Sequence, residues 1–85
     1  MVKIFCNATK GREEDALVII YRDMTVLRPE DLSVEFIGRI KARALEWLHD
    51  NYTGGSVMVS AHYLDDSGEI SLGGWTWDWR GRLVD

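Results

Sequence analysis

The sequence predicts a single small α+β domain of order ββαββ, in which one helix packs on one face of an antiparallel sheet made of two hairpins. Three observations support this fold class. Two β-type segments open the chain, one amphipathic helical segment follows, and the final third alternates apolar and polar residues around a turn. At 85 residues, the chain is expected to form one domain over residues 1–85, near the lower size limit for a stable core.

Two strands are expected before the helix. Residues 2–8 and 15–23 are rich in β-branched and aromatic side chains, and Gly11 provides a turn between them. The run LVIIY in the second segment is apolar at every position, which is typical of a strand that is covered on both faces. We therefore expect the second strand to lie in the centre of the sheet.

The helix is predicted to run from Val34 to about Asp50, after the N-cap residue Ser33. Apolar residues recur along it at spacings of three and four, which places them in one stripe. The stripe comprises Phe36, Ile37, Ile40, Ala44, Trp47 and Leu48. This stripe predicts that the helix covers one face of the sheet, and the small side chain of Ala44 leaves room for a large ring opposite it.

The final third predicts a hairpin around residues 66–68, a three-residue loop with Gly68 in the left-handed position. This loop sets Leu64 opposite Ile70 and, nearer the other end of the hairpin, Val59 opposite Trp75. Side chains alternate along each strand, so the register assigns every residue to one of two faces.

The two faces of this hairpin differ in composition. The face expected under the helix comprises Val57, Val59, Ala61, Tyr63, Trp75, Trp77 and Trp79. The face expected to be free comprises Met58, Ser60, His62, Leu64, Ile70, Leu72, Thr76 and Asp78. A free face that holds several large apolar residues is typical of a surface that contacts a partner or a second subunit. Gly73 and Gly74, just before the tryptophans, indicate a β-bulge or the close approach of another segment.

The acidic residues are unevenly distributed. The formal net charge is −4, and the stretch from Ala44 to Trp79 contains six carboxylates and no Lys or Arg. An acidic region of this kind repels phosphates, which argues against direct binding of nucleic acid, and it favours a basic partner. The alternative interpretation is that the acids only keep a small domain soluble.

No catalytic or metal-binding arrangement is evident in the sequence. Cys6, His49 and His62 lack the spacing of zinc ligands, and Cys6 is expected to be a buried, unreactive thiol in the middle of a strand. The segment 65–69 lacks the alternating ligands of a calcium loop, so a hairpin turn explains it better. We therefore expect no enzymatic activity, no cofactor and no metal.

The predicted location is cytoplasmic, with no membrane association. The chain has a single cysteine, so it cannot form an internal disulfide. Its first residues lack the continuous apolar segment of a signal peptide. The longest wholly apolar run, residues 16–21, is far shorter than the roughly 20 residues that span a bilayer.

A small acidic domain with an aromatic sheet and no active site is similar in profile to small inhibitor proteins, such as phage-encoded anti-CRISPRs and toxin-immunity proteins. No motif carries this resemblance, so it transfers no residue role. We expect a non-enzymatic inhibitor that binds a larger protein, one that handles nucleic acid in a basic groove. The expected contact residues are Asp65, Asp66, Glu69, Asp78, Met58, His62, Leu64, Ile70, Leu72 and Trp79.

The alternative function is a self-assembling structural or scaffolding subunit. Such a subunit would form a homo-oligomer through the free face of the second hairpin, at Met58, Leu64, Ile70 and Leu72. The two hypotheses differ in their partner, a basic protein in the first and a second copy of the chain in the second.

Overall fold

The computed structural model describes residues 1–10, 13–26 and 28–84. Its strands are β1 (Val2–Lys10), β2 (Glu13–Tyr21), β3 (Ser56–Asp65) and β4 (Gly68–Asp78). They form one antiparallel sheet in the order β2-β1-β3-β4. Helix α1 (Val34–Asn51) packs on the sheet, after a short 3₁₀-helix at Pro29–Asp31. The predicted α+β class and the ββαββ order are confirmed.

The sheet consists of two hairpins that are joined through their inner strands. β1 pairs with β2 and β3 pairs with β4, and the hairpins meet where β1 pairs antiparallel with β3. β2 and β3 therefore run parallel to each other without pairing, and the connection that contains α1 passes over β1. The local sequence patterns predicted the two hairpins but left the order of the strands undecided.

The position of β2 differs from the prediction, because this strand lies at an edge of the sheet and not at its centre. The apolar run of β2 places apolar side chains on both faces of the sheet. Leu17 and Ile19 pack against the core, whereas Val18 and Ile20 lie on the opposite face and are 45% and 44% exposed. A run of apolar residues indicates that both faces are apolar, but it does not show that both faces are covered.

The core lies between α1 and one face of the sheet. The fully or nearly fully buried side chains of this layer are Val2, Ile4, Cys6, Ala8, Phe36, Ile40, Ala44, Leu48, Val57, Val59, Ala61, Tyr63, Leu72 and Trp77. Trp77 is only 4% exposed, and its ring stacks in parallel on that of Trp75 at a centroid distance of 6.0 Å. Burial of one indole removes roughly 200 Å² of apolar surface from water, which contributes several kcal/mol to a small domain.

The helix begins and ends as its sequence indicates. Ser33 Oγ accepts a hydrogen bond of 3.1 Å from the backbone N–H of Phe36, which confirms the predicted N-cap. At the other end, the N–H of Tyr52 donates to the carbonyl of Leu48 at 2.9 Å, and the helix stops. The buried residues Phe36, Ile40, Ala44 and Leu48 recur every four positions, so one stripe of the helix faces the sheet.

The turn between β3 and β4 is shorter than predicted. Asp65 pairs with Gly68, so the loop contains two residues, and Gly68 has a φ of +137° that side chains rarely adopt. Near this turn the register is therefore shifted by one residue, and Tyr63 lies opposite Ile70. Farther from the turn the predicted register is found again, with Val59 opposite Trp75.

A β-bulge accounts for the difference in register between the two parts of this hairpin. The register shifts between Ala61 and His62, where Leu72 is the extra residue of β4. An extra residue reverses the alternation of faces, so Leu72 points into the core and is only 2% exposed. The next residue, Gly73, has a φ of +145°, and a Cβ there would lie 3.3 Å from the ring of Trp75.

Candidate protein-binding surface

The sheet face opposite α1 is formed by alternate residues of the four strands. This surface, called the open face below, comprises Lys3, Phe5, Asn7, Ala16, Val18, Ile20, Ser56, Met58, Ser60, His62, Leu64, Glu69, Ser71, Gly74, Thr76 and Asp78. Met58 is 60% exposed, and Val18 and Ile20 are each nearly half exposed. Contiguous apolar surface that is accessible to water on a small domain is typical of an interaction site.

The middle of the open face is held by a chain of side-chain contacts. The Lys3 ammonium lies 5.2 Å from the centre of the Phe5 ring, and that ring packs edge-on against His62 at 5.3 Å. His62 Nδ1 in turn lies 2.8 Å from Glu69 Oε1. These contacts limit the rotamers of four side chains, so less entropy is lost when a partner covers them.

Negative charge is concentrated at the β3–β4 turn. The acidic tip comprises Asp65, Asp66 and Glu69, all of which are exposed. The hydroxyl and the N–H of Ser67 donate to Asp65 Oδ1 at 2.6 and 2.8 Å, and these hydrogen bonds hold the pKa of Asp65 below its usual value. Asp65 is therefore ionised at neutral pH, and it fixes the shape of the turn.

The carboxylate of Asp78, a residue expected to contact a partner, binds groups of its own chain. The backbone N–H of Arg82 donates to Asp78 Oδ1 at 2.9 Å, its Nε donates to Oδ2 at 2.9 Å, and the N–H of Arg80 donates to Oδ1 at 2.9 Å. These bonds, that from the Arg82 N–H foremost, lower the pKa of Asp78. Asp78 therefore holds the C-terminal segment in place, and its expected contact with a partner stays a prediction.

Three residues that we expected to contact a partner lie on the side of the sheet that carries α1, as the sequence predicted for Trp79 but not for Ile70 and Leu72. Leu72 is in the core because of the bulge, and Ile70 lies opposite Tyr63, on the side of the sheet that carries α1. Trp79 is half-buried, and its ring lies 4.2 Å from that of His49 on α1. The one-residue shift near the turn explains Ile70 and Leu72, since it moves both to the other face.

The expected residues that the structure brings together are Met58, His62 and Leu64 on the open face, and Asp65, Asp66 and Glu69 at the acidic tip. Sequence reasoning missed Phe5, Val18 and Ile20, which extend the apolar surface across β1 and β2. The alternation of Lys3 and Phe5 with the buried Ile4 was a usable signal for β1. No local signal showed that β1 and β3 are neighbours, which places Phe5 beside His62.

A shallow groove crosses the β4 side of the open face. Its volume is about 390 Å³, and it is lined by Met58, Ser60, Gly74, Thr76, Leu83 and Val84, together with parts of Val59 and Trp75. Gly74 has no side chain, so none projects into the groove at this position. The walls are mostly apolar, so the groove can accept an apolar side chain of a partner.

The structure offers little for catalysis in its described part. Cys6 is buried, and burial raises the pKa of its thiol to about 11, so the nucleophilic thiolate is scarce at neutral pH. Among the described residues there is no group of three or more His, Cys, Asp or Glu that could hold a metal ion. None of the described helices combines the length and the apolarity that crossing a bilayer requires.

Comparisons of the chain with models of protein families, with curated proteins and with solved structures found no match.

Proposed function

We propose that the protein is a non-enzymatic inhibitor that binds a larger protein, places its acidic tip in a basic groove and covers the neighbouring surface with the open face. The observation that supports this most strongly is the continuity of the two surfaces. Glu69 belongs to both, and Leu64 directly precedes Asp65 on β3. A nucleic-acid-binding groove fits the tip because it is lined with cations that ordinarily contact phosphates.

The two surfaces contribute to binding in different ways. The carboxylates of the acidic tip attract a basic partner over a distance of about one Debye length, roughly 8 Å at physiological salt, and so raise the association rate. Apolar residues such as Met58 and Leu64 exclude water once the complex has formed, and so slow dissociation. Mutations in the two surfaces are therefore expected to change different rate constants.

The test requires a partner, which we would obtain by photo-crosslinking. A photoreactive amino acid at Met58 should capture the partner from host lysate, and the same amino acid at Val34 is the control, because Val34 is 87% exposed and lies outside the open face. Binding of the purified partner is then measured by stopped-flow kinetics at increasing salt. Nucleic acid bound in the groove should compete with the protein.

Two variants of equal net charge separate the acidic tip from general acidity. One carries Asp65→Asn, Asp66→Asn and Glu69→Gln, and the control carries Glu35→Gln, Glu46→Gln and Asp50→Asn on exposed positions of α1. The tip variant should associate about 10- to 100-fold more slowly at low salt, and the helix variant should bind much like wild type. Equal effects of the two variants, or association that salt leaves unchanged, would contradict the proposal.

A self-assembling subunit is the second candidate, and the exposed apolar residues of the open face favour it. The residues differ from those expected, since Ile70 and Leu72 are not part of that face. A strictly monomeric mass at high concentration would exclude this function.

A further inference from the structure

The two outer strands of the sheet differ in what lies along their free edges. The C-terminal segment of the chain covers the last residues of the outer edge of β4, where the N–H of Val84 donates to the carbonyl of Thr76 at 2.8 Å and the N–H of Asp78 donates to that of Arg82 at 2.9 Å. β2 pairs only with β1. Within the described residues, no backbone hydrogen bond from another segment reaches the outer edge of β2.

Beyond its first three residues, Glu13, Glu14 and Asp15, the edge of β2 lacks the features that usually prevent association. Outer strands are commonly protected by charged side chains, proline, a bulge or a covering segment. β2 contains neither proline nor lysine, and its pairing with β1 is regular over nine residue pairs, from Val2↔Tyr21 to Lys10↔Glu13. Val18 and Ile20 expose nearly half of their apolar side chains beside this edge.

We propose that the partner of this edge is a second copy of the chain. Two β2 strands pair antiparallel about a two-fold axis at Val18, and the two sheets become one sheet of eight strands. This inference goes beyond the proposed function and does not depend on it. Both helices then lie on one side of the joined sheet, and the two open faces form one continuous surface on the other.

The sequence of β2 is self-complementary in this register. Val18 lies opposite Val18 of the second copy. The other pairs are Leu17 with Ile19, Ala16 with Ile20, and Asp15 with Tyr21. Every pair from residue 16 to residue 20 therefore joins two apolar residues, and the two side chains of each pair lie on the same face of the joined sheet. Cross-strand pairs of this kind stabilise antiparallel sheets.

The neighbouring registers are less favourable. An axis at Leu17 sets the carboxylate of Asp15 opposite Ile19, and an axis at Ile19 sets it opposite Asp23 of the second copy, an exposed residue of like charge. An axis between two residues would align the open face of one copy with the helix-covered face of the other. The register at Val18 sets Asp15 opposite Tyr21 and keeps every pair from residue 16 to residue 20 apolar, and its like-charge pair, Glu13 with Asp23, falls at the two ends of the contact.

Charge also favours the antiparallel over the parallel arrangement. Asp15 lies near the start of β2, and Arg22 directly follows its end. Antiparallel pairing brings Asp15 of one copy close to Arg22 of the other, whereas parallel pairing in register places Asp15 opposite Asp15. The contact is short, since only about seven residues of each copy take part, and small interfaces bind weakly. We expect a dissociation constant on the order of 10 µM.

Disulfide trapping tests both the dimer and its register. Antiparallel partners have Cα atoms about 4.5 to 5.5 Å apart, a distance that a disulfide spans, so Val18→Cys should form a covalent dimer under mild oxidation. Ile20→Cys is the register control, because the two introduced thiols would sit on residues about 13 Å apart. Met58→Cys is the control for packing between open faces. The native Cys6 is fully buried and does not interfere.

Val18→Cys should cross-link at least about tenfold faster than either control. In sedimentation from about 1 to 500 µM, wild type should rise from the monomer mass of 9.7 kDa towards twice that value. Val18→Lys should abolish the rise and Met58→Lys should leave it. A monomer at every concentration overturns the proposal, as does cross-linking of Ile20→Cys or Met58→Cys at the rate of Val18→Cys. Circular dichroism verifies that each variant is folded.

Discussion

The two hairpins of this sheet have similar lengths but differ in what covers the free edge of their outer strands. β3–β4 has a turn fixed by Asp65, a bulge at Leu72 and a C-terminal segment that Asp78 holds against β4. β1–β2 is regular throughout its described pairs, and its outer strand has no cover among the described residues. The comparison shows that the chain covers part of one outer strand with its own C-terminal segment, at residues 76–78, and that among the described residues β2 has no such cover.

The features that close the β3–β4 hairpin each depend on a few residues. Gly73 adopts a φ that the bulge requires, and Asp78 accepts three hydrogen bonds from the segment that follows it. In β2, every residue from Ala16 to Tyr21 is apolar or aromatic, so this part of the strand has neither a glycine for a bulge nor a carboxylate that could bind a covering segment. The four predictions below test this difference in decreasing order of expected effect.

The largest effect is expected at Trp77, whose indole lies in the core beneath α1. Trp77→Ala should lower the free energy of unfolding by about 3–5 kcal/mol, because it removes buried apolar surface and leaves a cavity. Val18→Ala, in the outer strand of the other hairpin, should cost less than about 1 kcal/mol, since Val18 is already half exposed. Urea denaturation at low protein concentration measures both. Equal costs would mean that the two outer strands are packed alike.

The bulge can be tested with two leucines of the β3–β4 hairpin. Leu72→Ala should lower the free energy of unfolding by about 2–4 kcal/mol, because Leu72 is buried against the core. Leu64→Ala should cost about 1 kcal/mol or less, because Leu64 is only half-buried on the open face. Similar costs of about 1 kcal/mol for the two variants would indicate the unbulged register, in which Leu72 and Leu64 share the free face.

Cys6, on the strand that joins the two hairpins, should make stability depend on alkaline pH. Burial raises the pKa of its thiol from 9.0 to about 11 in the folded state. The unfolded chain therefore loses its proton first, so this contribution to stability is complete below pH 9 and declines as the pH rises towards 11. Cys6→Ala should remove this decline. Urea midpoints at a series of pH values measure it, and an unchanged pH profile in the variant would show that other groups cause it.

The smallest effect on global stability is expected at Asp78. Asp78→Asn weakens the hydrogen bonds that hold residues 80–82, so the amides of Arg82 and Val84 should exchange faster with solvent. Asp66→Asn, at the exposed hairpin tip, is the control and should leave them unchanged.

In the wild-type protein, acid should likewise speed the exchange of the amides of Arg82 and Val84 with solvent. Because its folded pKa is lowered, the ionised Asp78 stabilises the C-terminal cover fully above pH 3.8, the ordinary pKa of an aspartate, and the stabilisation is lost as the pH falls through the lowered pKa. Hydrogen exchange that responds neither to Asp78→Asn nor to acid would show that other contacts hold this segment.

The sequence predicted those parts of the fold that depend on local patterns. The cap at Ser33 and the apolar stripe of α1 follow from residues that are close in sequence. The predicted pairing of Val59 with Trp75 is found because the bulge at Leu72 offsets a turn that is one residue shorter than predicted. The position of β2 does not follow, because strand order depends on the pairing of β1 with β3, and these strands are more than 45 residues apart.

The candidate surface was predicted only in part for the same reasons. The acidic tip could be located because its carboxylates cluster in the sequence. A one-residue shift at the turn was enough to assign Ile70 and Leu72 to the wrong face, since side chains alternate with a period of two. Phe5, Val18 and Ile20 could not be added to the surface without the strand order.

Hydrogen exchange as a function of protein concentration tests the difference between the two outer strands most directly. If β2 pairs with a second copy, the amides of residues 15–21 should become more protected between about 1 and 500 µM, whereas those of β4 should not change. Protection that rises in β4, or protection in β2 that is independent of concentration, would contradict the proposal that a second copy pairs with β2 while the C-terminal segment covers the end of β4.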